Sequence, residues 1–513
     1  MNASAPTFAS LVDSLPDASF VRGGDVAVAS IVYDSRAARP GSLFVALRGG
    51  YADGHSFLRA ARENGAESCL IDRDPEDVDL DGYRAFAVVP DSRRALASIS
   101  RAFYEDPSWD LRLVGITGTD GKTTTSYMTE HLLQTAGLRT GLIGTIAIHI
   151  PDSPPQPAGR QTTPESLDTQ RLLAEMRDAG ASVAVLETSS HGLATHRIDG
   201  CHFDIGVITN ITHEHLDFHG SVEAYRSAKG RLFELVAAAR GEGGCGIAIV
   251  NMDDPGARAM RPDSPALDVI EYGETCPDTY RIAAACVEPA PGGYGFDLRI
   301  DEQVFKAQLP MSGRWNVSNA LAAVAVAHSL GVPSETIIEG LRTLPAVPGR
   351  MQAVRAGQPF QVLVDYAHTA PALRHVLQSA RETAANRVMV LFGSAGERDI
   401  EKRREMGTVA AELSDYFIVT SEDPRFEDPD DIISQIVDGA IRAGARERVD
   451  FDRLEDRRSA IEQILGRARP GDTVVLAGKG HEQSMIYGSE LRPWDEARVA
   501  AEVLRSIGYS EPR

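Results

Sequence analysis

Residues 111–125 read Leu-Arg-Leu-Val-Gly-Ile-Thr-Gly-Thr-Asp-Gly-Lys-Thr-Thr-Thr. An apolar strand enters a turn carrying Gly118 and Gly121, and a helix follows over 123–135. Glycines let successive backbone N–H groups converge on an anion, and a helix N-terminus adds its positive dipole. Lys122 can reach the terminal phosphates of a nucleoside triphosphate, and the Thr123 hydroxyl can ligate Mg²⁺. The spacing is G-x-x-G-x-x-G-K-T, with Ile116 where the commonest phosphate loop has glycine. Asp120 is the odd member, because a carboxylate beside phosphates repels them unless it points outward or pairs with a cation.

Five further groups of residues could do chemistry with a bound nucleotide. Val183-Ala-Val-Leu-Glu187 ends a strand in an acid, where nucleotide-binding sheets place a Mg²⁺ ligand. Six of the 13 histidines fall between His191 and His219, most densely over 212–219. Such a cluster can bind zinc, but no thiolates accompany it, and one histidine on Mg²⁺ fits the phosphate loop better. Lys229, read alone, is an ordinary helical lysine, and Asn316 and Asn319 share a helix face. In the C-terminal third, the segments 364–368, 393–399, 422–425 and 477–482 each follow an expected strand. Loops at the carboxyl ends of strands are where open α/β sheets bind ligands.

The elements that position these residues follow from hydrophobic period and turn residues. A small α/β unit spans about 24–105, with strands at 27–32, 43–47, 68–71 and 85–89. It has helices at 56–66 and after Asp91, an N-cap. From 110 onward strands are expected at 111–117, 182–187, 203–210 and 246–251, with helices starting at 163–165 and 221; this alternation predicts a mostly parallel sheet. It restarts after 345–349, with strands at 360–366, 387–393, 416–420 and 473–477, as in a Rossmann-like domain. The fold class is therefore α/β, with domains at 1–108, 109–346 and 347–513.

Composition narrows the partners. With 52 Lys+Arg against 73 Asp+Glu, the net charge of -21 argues against nucleic acid. Five cysteines without a C-x-x-C pair fit a reducing compartment. The first 20 residues hold no Lys or Arg, unlike a signal peptide, and no apolar run is long enough to span a membrane. A cytoplasmic monomer is expected.

Taken together, these motifs resemble the Mur ligases, over nearly the whole chain, and most closely the members that add the third residue of the peptidoglycan stem peptide. The resemblance implies a UDP-sugar-binding domain, a central P-loop ATPase and a C-terminal amino-acid-binding domain. It implies ATP and two Mg²⁺ as cofactors, and a UDP-muramyl dipeptide and a diamino acid as substrates. By the same resemblance, Ser35, after Asp34 and before the Gly41–Val45 and Asp53-Gly54 segments, contacts the uridine. Thr117, Gly118, Thr119, Asp120, Gly121, Lys122 and Thr123 form the ATP loop, with Asp120 at a position that is usually Asn. Thr162, Thr163, Ser189 and Arg197 hold the UDP-muramyl dipeptide, and Thr195 stands where relatives often have Gln. Glu187 and His215 match Mg²⁺ ligands, and Lys229 matches a lysine that the family carbamylates into an anion for the second Mg²⁺. Asn316 and Asn319 match an adenine-side motif, and Arg350, Asp365 and His368 match hinge and C-terminal contacts to ATP. Arg398, Glu422, Asp423, Pro424, Arg425, Gly478 and Glu482 match the amino-acid pocket.

The reaction implied joins a carboxylate to an amine through an acyl phosphate, with closure about a hinge at 346–350 excluding water. The base for the amine points to the His215 region. Arg425 suits the distal carboxylate of meso-diaminopimelate. The acid Asp423, where the diaminopimelate loop reads Asp-Asn-Pro-Arg, suits the bare ammonium of lysine or ornithine, and the choice stays open on sequence. Two other readings are a folylpolyglutamate synthase-like ligase, against which the uridine-type N-terminal domain argues, and a regulatory P-loop switch. The switch would need no second pocket around Arg398, Arg425 and Glu482.

Overall fold

The computed structural model describes residues 5–510 apart from 16, 50–51, 160, 213–215, 240–244, 277 and 398–399. Two compact units are present, one of 1–282 with 322–337 and the other of 283–321 with 338–513. The first unit carries two sheets. Its N-terminal sheet runs Ser19–Arg22, Ala85–Val88, Ala66–Ile71, Ser42–Val45, Ser30–Val32. All neighbours in it are parallel except the outermost pair, Ser19–Arg22 with Ala85–Val88. Asp91 caps the helix Ser92–Phe103 by accepting from the Arg93 and Arg94 amides.

The central sheet of this unit runs Leu267–Gly273, Gly246–Asn251, Ile205–Ile208, Arg112–Thr117, Val183–Glu187, Thr140–Ile143, all parallel. Ala147–His149 and Gln156–Pro157 then extend it antiparallel. Its strands are continuous apolar runs because helices cover both faces. Leu113, Val114, Ile116, Val185, Leu186 and Val207 are all fully buried, each contributing about 1.5–3 kcal/mol of hydrophobic stabilisation. The parallel order sets the carboxyl ends of Arg112–Thr117, Val183–Glu187 and Ile205–Ile208 side by side, and the sequence motifs sit there.

The second unit contains a six-stranded sheet in the order Gln352–Ala353, Gln361–Asp365, Thr473–Ala477, Val388–Phe392, Tyr416–Val419, Phe451–Arg453. Only the first pair is antiparallel. Successive residues divide between two cores: Leu363 and Val390 lie in one, Val362, Val364, Met389 and Leu391 in the other. This is the doubly covered sheet expected of a Rossmann-like domain.

Two expectations need correcting. The helix expected from 163–165 is Ser166–Asp178. Thr163 cannot cap it, because its hydroxyl is spent on the Glu187 carbonyl and Ser189. The strand–helix alternation also gives way to strands at Ile282–Ala290, Gly293–Ile300 and Gln303–Leu309, the last two antiparallel. Gly293–Ile300 alternates between buried and part-exposed residues, the signature of a half-solvated antiparallel strand.

Candidate active site

The phosphate loop is held from below. Gly121 adopts φ +84° ahead of the helix Lys122–Thr135. A Cβ on Gly118 would lie 1.9 Å from Thr209 Oγ1. That hydroxyl donates to the Asp120 carbonyl at 2.6 Å. Asn210 grips the same peptide, accepting from the Asp120 amide at 2.9 Å and donating to its carbonyl at 3.1 Å. Asp120 itself is exposed, so its carboxylate points outward and the repulsion raised by its identity is relieved by solvent.

Lys122 arches back over the loop, donating to the carbonyls of Gly118 at 2.9 Å and Thr119 at 2.7 Å. Lys229, 1 % exposed on the helix Val222–Ala239, donates to the same Gly118 carbonyl at 2.6 Å. Its ammonium also lies 4.8 Å from the Tyr225 ring centroid. Two lysines, Lys229 buried and Lys122 half-buried, thus share one acceptor.

Glu187 is fully buried and joins the phosphate loop to the rest of the site. Its Oε2 accepts from Thr123 Oγ1 at 2.9 Å and Thr145 Oγ1 at 2.8 Å, and its Oε1 from the Thr145 amide at 2.9 Å. Thr145 Oγ1 also contacts Thr162 Oγ1 at 3.1 Å. From the Glu187 carbonyl the chain continues through Thr163 Oγ1 to Ser189, whose hydroxyl caps the next helix at the Gly192 amide. Four segments distant in sequence therefore form one network. Thr123 Oγ1 and Glu187 Oε2 offer only oxygen, the donor set a hard cation such as Mg²⁺ prefers. No group of three or more His, Cys, Asp or Glu suited to a metal occurs among the described residues. His215, the expected histidine ligand, lies outside them.

Arg197 donates to the Thr163 carbonyl at 3.1 Å and pairs with Glu165 at 3.2 Å, while Glu165 also holds Arg93 at 2.9 Å. Thr195 directs its hydroxyl to the His191 carbonyl at 2.7 Å, within its own helix. Asp34, beside Ser35, caps the short helix Ser35–Ala37.

A second cluster occupies the second unit. The Asp365 carboxylate accepts from the amides of Met351 and Ala367 at 2.8 and 2.9 Å, and burial pushes its pKa up. Arg350 lies 5.1 Å over the Tyr366 ring, and His368 Nδ1 meets the Tyr366 carbonyl. Asn316 and Asn319 are buried and linked at 2.9 Å, with Asn316 donating to the Ser312 carbonyl. Asp423 already has an ion-pair partner: Lys479, fully buried, donates to it at 2.8 Å and to Glu482 at 2.6 Å. Glu422 is different. It is 5 % exposed, its Oε2 has no partner among the described residues, and it faces Gly478, where a Cβ would come within 2.5 Å. Burial raises its carboxyl. Arg425 sits at φ +54°, fixed by its amide to the Ile486 carbonyl and by the Gly488 amide to its own carbonyl. Its Nε is buried and has no partner among the described residues. Pro424 packs its carbonyl against Gly396, and Arg398 lies outside the described residues. Beside them burial, aided by Arg350 and Lys479, pushes His481 down to about 4.

Sequence reasoning missed Thr145 and Lys479 as partners. Thr145 had a signal, a hydroxyl two residues past the apolar run ending at Ile143. Lys479 had none, since a lysine between glycines reads as exposed.

Fold and site define a phosphate-loop α/β enzyme whose nucleotide loop is hydrogen-bonded to a second polar site. The Mur ligase family catalytic domain matches residues 27–104, the Mur ligase middle domain 116–327 and the Mur ligase glutamate ligase domain 349–480. A UDP-N-acetylmuramyl-tripeptide synthetase of Roseiflexus sp. is 44% identical over 491 residues, covering 94% of this chain and 95% of that protein. A UDP-N-acetylmuramoyl-L-alanyl-D-glutamate–2,6-diaminopimelate ligase of Solibacter usitatus is 40% identical over 94% of this chain and 95% of its own. A solved structure of a ligase of that same diaminopimelate-adding description has 29% identity and a TM-score of 0.68, covering 94% of this chain and 96% of that one. The chain belongs to the Mur ligase family of ATP-dependent ligases and has its three-domain α/β fold.

Proposed function

We propose that this enzyme adds meso-diaminopimelate to UDP-N-acetylmuramoyl-L-alanyl-D-glutamate, using ATP, in cytoplasmic synthesis of peptidoglycan precursor. The observation that carries the reading is the unbroken chain of hydrogen bonds from Thr123 through Glu187 and Thr145 to Thr162. It ties the nucleotide loop to the residues proposed to hold the UDP-muramyl dipeptide: Thr162, Thr163, Ser189 and Arg197, with Ser35 at the uridine. The proposed domains, 1–108, 109–346 and 347–513, each enclose one matched family segment.

In the reaction, an oxygen of the D-Glu side-chain carboxylate attacks the γ-phosphorus, ADP leaves, and an acyl phosphate forms. Lys122 releases its loop carbonyls to neutralise the transferring phosphoryl oxygens, and the backbone of 117–121 cradles the others. Thr123 and Glu187 would hold Mg²⁺, and Lys229, as a carbamate, would hold a second ion with His215; metal at these positions lowers the charge barrier between carboxylate and phosphate. The amine of the diamino acid then attacks the acyl carbon, expels phosphate and loses a proton. Asn316, Asn319, Arg350, Asp365 and His368 are proposed on the nucleotide side of this step.

The choice of diaminopimelate is supported by two side chains of opposite charge that each hold a buried atom without a partner among the described residues, Glu422 Oε2 and Arg425 Nε. Glu422 Oε2 suits an ammonium and the Arg425 guanidinium suits a carboxylate, as on the distal carbon of diaminopimelate. Asp423, which on sequence favoured lysine or ornithine, is ion-paired with Lys479 within the fold. The test is phosphate release with ATP, Mg²⁺ and UDP-MurNAc-L-Ala-D-Glu against diaminopimelate, lysine and ornithine. Release that requires diaminopimelate is expected; release independent of any amino acid contradicts the ligase reading, and a preference for lysine or ornithine contradicts the choice of amino acid.

A further inference from the structure

Arg457 and Glu496 form an ion pair with both side chains fully buried, at 2.6 Å. The guanidinium meets both carboxylate oxygens through Nε and Nη2, and Trp494 Nε1 donates to the same carboxylate at 2.6 Å. Two further donors of Arg457 go to backbone carbonyls, Ser421 at 3.1 Å and Ala477 at 2.8 Å. Those residues immediately precede Glu422 and Gly478, and Glu422 lies against Gly478 across the pocket. One planar, five-donor group therefore ties the ends of two strands that are not sheet neighbours to the first residue of the helix Glu496–Ser506.

A buried ion pair is a poor stability device. Desolvating both charges offsets most of their attraction, and apolar replacements of similar volume are often neutral. What Arg457 supplies that apolar side chains cannot is a defined spacing between two loops, together with a positive charge near Glu422.

We propose that Arg457, anchored by Glu496, is a positioning residue for the diamino acid: it sets the distance between the Glu422 and Gly478 loops and so the aim of Glu422 at the incoming ammonium. This rests on the reading of those loops as the amino-acid pocket. Arg457 touches no substrate, and its effect falls on amino-acid binding rather than on carboxylate activation.

The test compares the parent with Arg457→Lys and the paired Arg457→Met/Glu496→Leu. Lysine keeps the charge but cannot span both carbonyls and Glu496; the apolar pair fills the space without desolvated charge. Two rates are measured in each: diamino-acid-dependent phosphate release, giving KM for the amino acid, and ADP–ATP exchange with UDP-MurNAc-L-Ala-D-Glu but no amino acid, reporting activation alone. Displacing a binding group by about 1 Å costs up to roughly a hundredfold, so KM should rise by about tenfold or more in both variants, with exchange unchanged. An unchanged KM in Arg457→Lys, or KM and exchange failing in parallel, overturns the proposal. Arg425→Ala separates the underlying reading: if it too leaves the amino-acid KM unchanged, the pocket assignment fails as well; if it raises KM while Arg457→Lys does not, only the positioning role fails.

Discussion

Arg425→Met tests the amino-acid pocket at the point where the structure makes the cost calculable. The side chain is half-buried, its Nε has no partner among the described residues, and the backbone at φ +54° is held by Ile486 and Gly488. Methionine is unbranched at Cβ, like arginine, so the left-handed backbone is no worse served, and little hydrogen bonding within the fold is lost. Unfolding free energy should therefore change by less than about 1 kcal/mol. The loss falls on the ligand. A hydrogen bond to a charged group contributes about 1.5–3 kcal/mol. A bidentate clamp on the distal carboxylate, set conservatively at about 3 kcal/mol, corresponds to roughly a 150-fold fall in kcat/KM for diaminopimelate. Lysine and ornithine lack that carboxylate and should lose less than about threefold. The assay is phosphate release at saturating ATP and UDP-muramyl dipeptide, with each amino acid varied. Equal losses for diaminopimelate and lysine would show that Arg425 does not read the carboxylate and would refute the reasoning.

Three further outcomes are expected. Lys229→Ala should abolish ligation without recovery on adding bicarbonate, since no amine remains to carbamylate; undiminished turnover, read by phosphate release, contradicts the carbamate. Gly118→Ala places a methyl 1.9 Å from Thr209 Oγ1 and must break its bond to Asp120; ATP affinity by calorimetry should fall by about tenfold or more, and unchanged affinity removes the loop clamp from the account. Burial raises the Glu422 carboxyl, so its charge is present at high pH and lost as pH falls through a value above the ordinary glutamic acid range. The KM for diaminopimelate should therefore rise on acidification before ordinary carboxylates titrate, and Glu422→Gln should flatten that rise. His481, pushed down to about 4, stays neutral over the same interval and adds nothing to the profile.

The phosphate loop was legible because strand, glycines, Lys122 and Thr123 carry their geometry in local sequence. Glu187 was legible because a parallel sheet puts strand ends together, and the register pairs Glu187 with Ile116. What stayed hidden were partners made by the fold. Thr145 looks like any loop hydroxyl until the strand Thr140–Ile143 is laid beside Val183–Glu187. Arg457, Glu496 and Lys479 read as solvent residues, since hydrophobic period says nothing of a charge satisfied inside. Asp423 misled for the same reason: its charge counts toward a substrate only where no lysine has taken it. The strands over 282–309 were missed because their half-exposed alternation breaks the strand–helix rhythm used elsewhere.

The central claim is that a carboxylate is activated by transfer of phosphate before the amine attacks. UDP-MurNAc-L-Ala-D-Glu carrying ¹⁸O in the D-Glu side-chain carboxylate, turned over with ATP and diaminopimelate, tests it most directly. With both carboxylate oxygens labelled, the acyl-phosphate route predicts one ¹⁸O in each released phosphate and a product that keeps the other, its mass that of both substrates less one H2¹⁸O. Label-free phosphate accompanying that same product would contradict it.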